Sequence, residues 1–158
     1  GSQFMSKAEF RDQVRALTNQ LAGRELNQDL QDWLNVEHGP GSLTYRQLEQ
    51  GCHRGVEEGW MCEHEAGGIR YGRVFKPDDE LQGFSVDVVD MNDCAGPLHS
   101  HPNGEIDLVM PLRGDALFDD HPAGWVVYPA GSAHTPTISN GHALVLYLLP
   151  GGSIEFTR

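Results

Sequence analysis

Four residues in two short phrases of the sequence have the types and spacing of a metal site. The phrase GPLHSHPNGE contains His99, His101 and Glu105 in the pattern H-x-H-x-x-x-E. The phrase GWVVYPAGSAH ends at His134 in the pattern P-x-G-x-x-H. Three imidazoles and one carboxylate suit a divalent transition metal, and Fe, Mn, Ni, Co, Cu and Zn all accept such a set. The sequence therefore predicts one metal ion per chain, of unspecified identity.

The spacing of these residues indicates how secondary structure could bring them together. Side chains two residues apart on a strand share a face, so His99 and His101 are expected to point the same way. Glu105 follows the turn Pro102-Asn103-Gly104, and we expect its strand to fold back beside the first. If Glu105 faces inward, the period of two places Asp107 inward as well. Both carboxylates are candidate catalytic residues, and Asp107 would either orient a ligand or act as a general acid or base.

A second strand offers candidates for substrate binding. The alternation over residues 69–76 places Tyr71, Arg73 and Phe75 on one face. An arginine between two aromatic residues could hold a substrate carboxylate, although a salt bridge at the rim is the alternative. Trp125 is a further cavity candidate, although an aromatic residue on such a strand more often belongs to the core.

Composition restricts the class of protein and its partners. The 158-residue chain has a net charge of −12, which repels nucleic acid and predicts no such partner. The most apolar stretch, residues 143–149, has the length of a strand, so no membrane segment is expected. Three cysteines, Cys52, Cys62 and Cys94, and no secretory signal pattern favour reduced thiols in the cytoplasm.

Periodicity divides the chain into two parts. Apolar residues at helical spacing predict three helices before residue 59, the first of them capped by Ser6. After Gly67-Gly68 the period changes to two, and turn signals separate short candidate strands. These candidates are residues 69–76, 84–91, 97–101, 105–112, 115–118, 124–129, 134–138, 143–149 and 153–157. Many short strands with regular turns are typical of a β-barrel or sandwich.

The two ligand phrases resemble the conserved motifs of the cupin superfamily, in which the same residue types line a small β-barrel and usually hold a metal. The shared positions outside the ligands are Gly96, Gly114, Pro129 and Gly131. The resemblance implies a mainly β fold, a single cupin (small β-barrel or jelly roll) preceded by N-terminal α-helices. We interpret residues 1–5 as a cloning remnant ending in the start Met, 6–66 as a helical segment packed on the barrel, and 67–158 as the cupin barrel. Single-domain cupins are often dimers, so a symmetric homodimer is expected.

The helical N-terminal third followed by one cupin resembles, more narrowly, the 4-hydroxylaminobenzoate lyase family of bacterial nitroarene degradation. The likeness lies in PLHSHPNGEIDLVMPL, which begins at Pro97, and GWVVYPAGSAHTPTISNGHALVLYLLPGGSIEFTR, which begins at Gly124. That family converts 4-hydroxylaminobenzoate and water into protocatechuate and ammonia. The resemblance implies a metal-dependent, ammonia-releasing lyase whose partner is a small aromatic carboxylate substrate.

This chemistry is consistent with the predicted site. The reaction is redox-neutral because N–O cleavage balances oxidation of the ring, and the sequence has no Rossmann glycine fingerprint for a nicotinamide or flavin. On this hypothesis the metal supplies Lewis acidity at the hydroxylamino oxygen. Asp107 assists N–O cleavage and Arg73 holds the carboxylate. Tyr71, Phe75 and Trp125 exclude bulk water.

Two other functions fit the same residues. An iron-dependent cupin dioxygenase of a catechol or aminophenol would use the same ligands and leave positions open for substrate and O₂. A non-catalytic cupin would bind an aromatic acid without turnover, or would keep the four residues without a metal. Oxygen consumption at each turnover distinguishes the dioxygenase from the lyase.

Overall fold

The computed structural model describes residues 5–156, and the interpretation of residues 1–4 as part of a cloning remnant lies outside that range. Three helices begin the described chain: α1 (Lys7–Leu21), α2 (Gln28–His38) and α3 (Leu43–Glu58). Each follows a side chain that accepts a hydrogen bond from an N–H of the first turn, and these caps are Ser6, Asn27 and Ser42. The helices predicted from periodicity are confirmed. Among the described residues, no helix has the length and apolar character needed to cross a bilayer.

The remainder of the described chain forms two antiparallel sheets. Its strands are β1 (His64–Ala66), β2 (Ile69–Phe75), β3 (Phe84–Ala95), β4 (His99–His101), β5 (Glu105–Phe118), β6 (Gly124–Tyr128), β7 (Ser132–His134), β8 (Thr137–Pro150) and β9 (Glu155–Phe156). Six strands form the large sheet in the order β1-β2-β3-β8-β5-β6, and three form the small sheet in the order β7-β4-β9. Within the described residues the sheets do not close into a barrel, so the predicted cupin fold is present as a jelly roll.

The two faces of the large sheet have different partners. One face, which includes Val86 and Leu146, shares an apolar core with the three helices. The opposite face, which includes Val109 and Val145, forms a second apolar cluster and faces the small sheet. Alternation along each strand sends consecutive side chains into these two environments. All three cysteines are free thiols.

One predicted break between strands lies inside a strand instead. The candidate strands 105–112 and 115–118 belong to the single strand β5, and the break expected between them is a register irregularity. Gly114 has a φ of 69°, and it pairs with Gly141, whose φ is 149° and at which a Cβ would lie 2.1 Å from the Arg113 carbonyl oxygen. The glycines permit a close approach at a β-bulge, and such glycines resemble turn glycines in a sequence.

Candidate metal centre and cavity

The four predicted ligand residues converge between the two sheets. His99 and His101 lie on β4, and His99 pairs with His134 of β7 across the small sheet. One possible ligand atom from each of the four residues lies within 4.8 Å of all the others. The Glu105 Oε2 atom is 3.0 Å from His101 Nε2 and 3.4 Å from His134 Nε2.

Glu105 reaches the histidines by a route that differs from the prediction. We expected β5 to fold back beside β4 as a hairpin, but β4 pairs with β7 and β9, and β5 belongs to the large sheet. The turn is tight, since Gly104 donates its N–H to the His101 carbonyl oxygen at 3.1 Å. The chain therefore crosses from one sheet to the other at this turn, and Glu105 faces the histidines across the gap.

The buried polar atoms of this cluster indicate that it suits a metal. The Nε2 atoms of His99, His101 and His134 and the Oε2 atom of Glu105 are buried and have no hydrogen-bond partner among the described residues. Buried polar atoms in proteins nearly always have a partner, so four such atoms around one point are unusual. His99 Nδ1 lies 3.2 Å from the Pro97 carbonyl oxygen and is placed to donate to it, which leaves the Nε2 lone pair for a ligand. The donor set fits one divalent transition metal.

The protonation of two histidines also suits ligation. Burial, reinforced by the neighbouring His99 and His134, lowers the pKa of His101 to about 3. Burial likewise lowers the pKa of His99. Both imidazoles are therefore neutral near pH 7, and the neutral ring is the form that binds a metal.

A carboxylate that the sequence analysis missed holds the third histidine. Asp119 Oδ2 accepts hydrogen bonds from His134 Nδ1 and from the Tyr128 hydroxyl, both at 2.5 Å. Its Oδ1 accepts from the Thr137 N–H at 2.9 Å. Burial would lower the pKa of His134, but the hydrogen bond to Asp119 and the nearby carboxylate of Glu105 prevail and raise that pKa to about 9.

The available signal for Asp119 in the sequence was weak. Asp119 and Asp120 follow β5 and resemble an ordinary polar turn. Both have positive φ values, 49° and 68°, which aspartate tolerates better than most residues. The backbone reverses here, and the resulting hydrogen bonds to β6, β7 and β8 are all non-local.

Asp107 lies inward, next to Glu105, and is fully buried. It pairs with Tyr147 of β8, which lines the cavity described below, and this shared register fixes its direction. Neither carboxyl oxygen has a hydrogen bond of ordinary geometry among the described residues. Burial first, and then the charge of Glu105, raise the pKa of Asp107 well above its usual range. This environment therefore favours the protonated carboxyl over the carboxylate.

A cavity of about 600 Å³ lies beside the ligand cluster, a volume typical of small-molecule sites. His99 and Glu105 line it at the cluster. The exposed side chains of His64, Tyr71 and Arg73 line it on the solvent side. Apolar side chains make up most of the remaining wall: Ile69, Val89, Met91, Leu149, Ile154 and Phe156.

The structure separates the four predicted substrate-binding residues into two groups. Tyr71 and Arg73 line the cavity. Arg73 also forms the predicted alternative, a rim salt bridge, since its Nε lies 2.9 Å from Asp87 Oδ1. Its Nη2 donates to the Gly152 carbonyl oxygen at 3.0 Å. Arg73 is thus oriented by the protein before any ligand arrives.

Phe75 and Trp125 lie on the helix side of the large sheet, away from the cavity. The β2–β3 register shifts between Arg73 and Phe75, so Phe75 pairs with Val86 and stacks on Phe10 of α1. Trp125 precedes the inward-facing Val126 on β6 and therefore points to the opposite face of the sheet. Its Nε1 donates to the His38 carbonyl oxygen at 2.9 Å. The expectation that these two aromatic residues border the cavity is therefore corrected, because a bulge and the strand register reverse their directions.

Two facing antiparallel sheets, with the H-x-H-x-x-x-E and P-x-G-x-x-H residues meeting between them, define a cupin with a metal-type ligand set. The family model of 4-hydroxylaminobenzoate lyase, PnbB, matches residues 12–156. The chain belongs to the 4-hydroxylaminobenzoate lyase family, which confirms the narrower resemblance and the prediction of a lyase.

Individual relatives agree with the family assignment. A 4-hydroxylaminobenzoate lyase of Nocardioides sp. (strain LMS-CY) is 34% identical over 147 residues, which cover 87% of each chain. A protein of the same name from Pseudomonas putida is 33% identical over 147 residues, covering 82% of this chain and 84% of its own. A chain from the crystal structures of the DMSP lyases RdDddP and RnDddQII has a TM-score of 0.54 at 14% identity and covers 96% of this chain and 97% of its own. This last likeness concerns the fold alone.

Proposed function

We propose that the protein is a metal-dependent lyase that converts 4-hydroxylaminobenzoate, or a similar aryl hydroxylamine, and water into protocatechuate and ammonia. One observation carries the proposal beyond the family name. The cavity has a metal-type ligand cluster, apolar walls and a pre-oriented arginine on its solvent side. The substrate has three groups in the same order: a polar hydroxylamino substituent, a flat ring and a carboxylate. Each group can therefore face its counterpart in the cavity.

The roles of the side chains follow from this orientation of the substrate. His99, His101, Glu105 and His134 would hold a divalent metal, which when bound would supply Lewis acidity beside the hydroxylamino group. Arg73 binds the substrate carboxylate, and its bond to Asp87 keeps the guanidinium in place. Tyr71 and the apolar walls reduce the access of water to the ring.

The atoms and electrons of the proposed reaction balance without a redox cofactor. Cleavage of the N–O bond releases the hydroxylamino oxygen as water and leaves an electron-deficient ring. One water adds to the ring carbon adjacent to the nitrogen-bearing carbon, and a second hydrolyses the resulting imine to release ammonia. Proton loss from the ring then restores aromaticity as a catechol, so the net change is the addition of one water.

Asp107 acts through Glu105 in this scheme. It is fully buried, and Glu105 is the charged group that acts on it most strongly, so we propose that it donates a hydrogen bond that fixes the orientation of Glu105. Asp107→Asn keeps a donor and is expected to retain more activity than Asp107→Ala at equal metal content. Equal and complete loss of activity in both variants, with metal retained, would instead favour proton transfer by Asp107 itself.

The decisive experiment is turnover of 4-hydroxylaminobenzoate under nitrogen by purified protein of measured metal content. We expect ammonia and protocatechuate in equal amounts without oxygen. His99→Ala and His134→Ala are expected to lose both bound metal and ammonia release, whereas the matched control His53→Ala, an exposed position on α3, keeps both.

Three outcomes would contradict the proposal. Full activity in metal-free protein would remove the role of the metal. Product formation that strictly requires oxygen would favour the dioxygenase of a catechol or aminophenol. Binding without any turnover would favour the non-catalytic cupin.

We further propose a cytoplasmic symmetric homodimer. A molar mass of one chain, measured by light scattering, would contradict the dimer.

A further inference from the structure

Tyr147 is a largely buried tyrosine whose hydroxyl has no hydrogen-bond partner within residues 5–156. Its side chain is 6% exposed and lines the cavity. Among the described residues, none forms a hydrogen bond with its hydroxyl. By contrast, the Tyr45 hydroxyl donates to the Val109 carbonyl oxygen at 3.0 Å, and the Tyr128 hydroxyl donates to Asp119. The hydroxyl of a largely buried tyrosine usually has a partner, so this one is available for a water or a ligand in the cavity.

The strand register places Tyr147 between the two polar parts of the cavity. It pairs with Asp87, the partner of Arg73, on one side. On the other side it pairs with Asp107, two residues after Glu105 on β5. Paired residues of an antiparallel sheet share a face, so these side chains form one row across the wall. The ring is supported by Phe118, whose centroid lies 6.2 Å away.

The surroundings of the hydroxyl keep it protonated. Burial, reinforced by the acidic groups around it, raises the pKa of Tyr147 well above its usual value. The hydroxyl therefore stays protonated near neutral pH and can donate a hydrogen bond. A ligand in the cavity that offers an acceptor atom can take this hydrogen bond.

From this position we infer that Tyr147 is a positioning residue, whose hydroxyl donates a hydrogen bond to the oxygen of the substrate's hydroxylamino group. The inference rests on the proposed function, because it assumes that Arg73 binds the carboxylate and directs the para substituent towards Glu105. The hydrogen bond would select substrates with an oxygen on that substituent and would hold the departing oxygen in a fixed direction.

Two unreactive analogues isolate this contact. In 4-(hydroxymethyl)benzoate a CH₂–OH group replaces the hydroxylamino group, and 4-methylbenzoate lacks the oxygen. Calorimetric affinities of both are measured on metal-loaded wild type and on Tyr147→Phe, which deletes one unpartnered oxygen and keeps the ring. We expect Tyr147→Phe to lower the affinity for 4-(hydroxymethyl)benzoate about three- to tenfold and to leave the affinity for 4-methylbenzoate unchanged.

Controls and kinetics complete the test. Tyr45→Phe removes a tyrosine hydroxyl outside the cavity and is expected to change neither affinity. With 4-hydroxylaminobenzoate, Tyr147→Phe should raise KM by a similar factor at unchanged metal content. Equal effects on both analogues, no effect on either, or no binding of 4-(hydroxymethyl)benzoate by the wild type would overturn the inference. Because the analogues do not react, failure of the lyase proposal appears separately, as absent ammonia release by the wild type.

Discussion

His134 differs from the other two histidines of the cluster because a carboxylate holds its second nitrogen. Asp119 accepts from His134 Nδ1, and its remaining contacts to Tyr128 and the Thr137 N–H fix its own position. This arrangement holds the proton on Nδ1 and orients the ring so that Nε2 faces Glu105. The orientation of a ligand residue thus depends on a residue outside the ligand set.

Replacement of Asp119 should weaken metal binding without removing a ligand. We expect Asp119→Asn to lower metal affinity about 10- to 100-fold, because the neutral amide supports the His134 ring less well than a carboxylate does. Competition with a chromogenic chelator measures this affinity. Asp120→Asn is the matched control, since Asp120 is exposed and also has positive φ, a conformation that asparagine tolerates. Equal affinities in the two variants would contradict the role of Asp119.

At the scale of elements, helix α2 closes the edge strand of the large sheet. Asn35 donates its amide to the Trp125 carbonyl oxygen at 2.9 Å and accepts from the Trp125 N–H at 2.8 Å. Gln31 accepts from the Val127 N–H at 2.9 Å. The side chains of α2 thus complete hydrogen bonds of β6 on the side where no other described strand pairs with it, which protects an otherwise open edge.

Removal of this contact should destabilise the protein. We expect Asn35→Ala to lower the free energy of unfolding by about 1–3 kcal/mol, because two backbone groups of Trp125 lose their partner. Urea denaturation monitored by tryptophan fluorescence measures the change. Asn19→Ala, an exposed position on α1, should change the free energy by less than about 0.5 kcal/mol. A comparable effect at both positions would show that the contact contributes nothing specific.

His38 links the three helices and makes their packing sensitive to pH. Its Nδ1 lies 2.9 Å from the Thr44 hydroxyl and its Nε2 lies 2.8 Å from Gln20 Oε1. Burial lowers the pKa of His38 and outweighs the charge of Glu37, which raises it. The unfolded chain therefore takes up this proton at a higher pH, about 6.5, than the folded protein does. The stabilising effect of neutral His38 is complete above that pH and is lost as the pH falls below it.

Substitution of His38 tests the direction of this dependence of stability on pH. We expect the wild type to exceed His38→Gln in free energy of unfolding at about pH 7.5, and the difference to shrink at about pH 5.5 because the variant has no such proton to bind. Urea denaturation at both values gives the difference. His53→Gln, at an exposed position on α3, should show no such narrowing. A difference that stays constant or grows on acidification would contradict the assignment.

At the scale of the whole molecule, a metal would connect the two sheets. His99, His101 and His134 belong to the small sheet, and Glu105 belongs to the large one. Unfolding must separate these ligands, so a metal that binds only the folded protein stabilises it by mass action.

Metal addition should therefore raise the stability of the stripped protein. At a free metal concentration about 100 times the dissociation constant, we expect the free energy of unfolding to rise by about 2.7 kcal/mol. Denaturation of chelator-treated protein, with and without the metal found in the purified protein, measures the gain. His99→Ala should gain much less, whereas His53→Ala should gain as much as the wild type. An equal gain in all three proteins would mean that the metal binds elsewhere.

Features that depend on neighbours along the chain were predictable from the sequence. Ser6 satisfies an N–H of the first turn wherever the helix packs, and helical periodicity is local, so the three helices were predicted correctly. The spacing of His99 and His101 placed both on one face of a strand because alternation is a property of each strand alone. The ligand types similarly needed no knowledge of the fold to suggest a metal.

Features that depend on which strands pair were decided only by the tertiary structure. A register shift of one residue in β2 turned Phe75 towards α1, and the register of β6 turned Trp125 the same way. The roles of the Asp119 carboxylate and of the Tyr147 hydroxyl depend on contacts with strands that are distant in the sequence. The sequence by itself determined the donor atoms and their local spacing. Strand pairing and bulges decided which residues share the cavity with these donor atoms. Both are non-local, and a shift of one residue turns a side chain to the opposite face of the sheet.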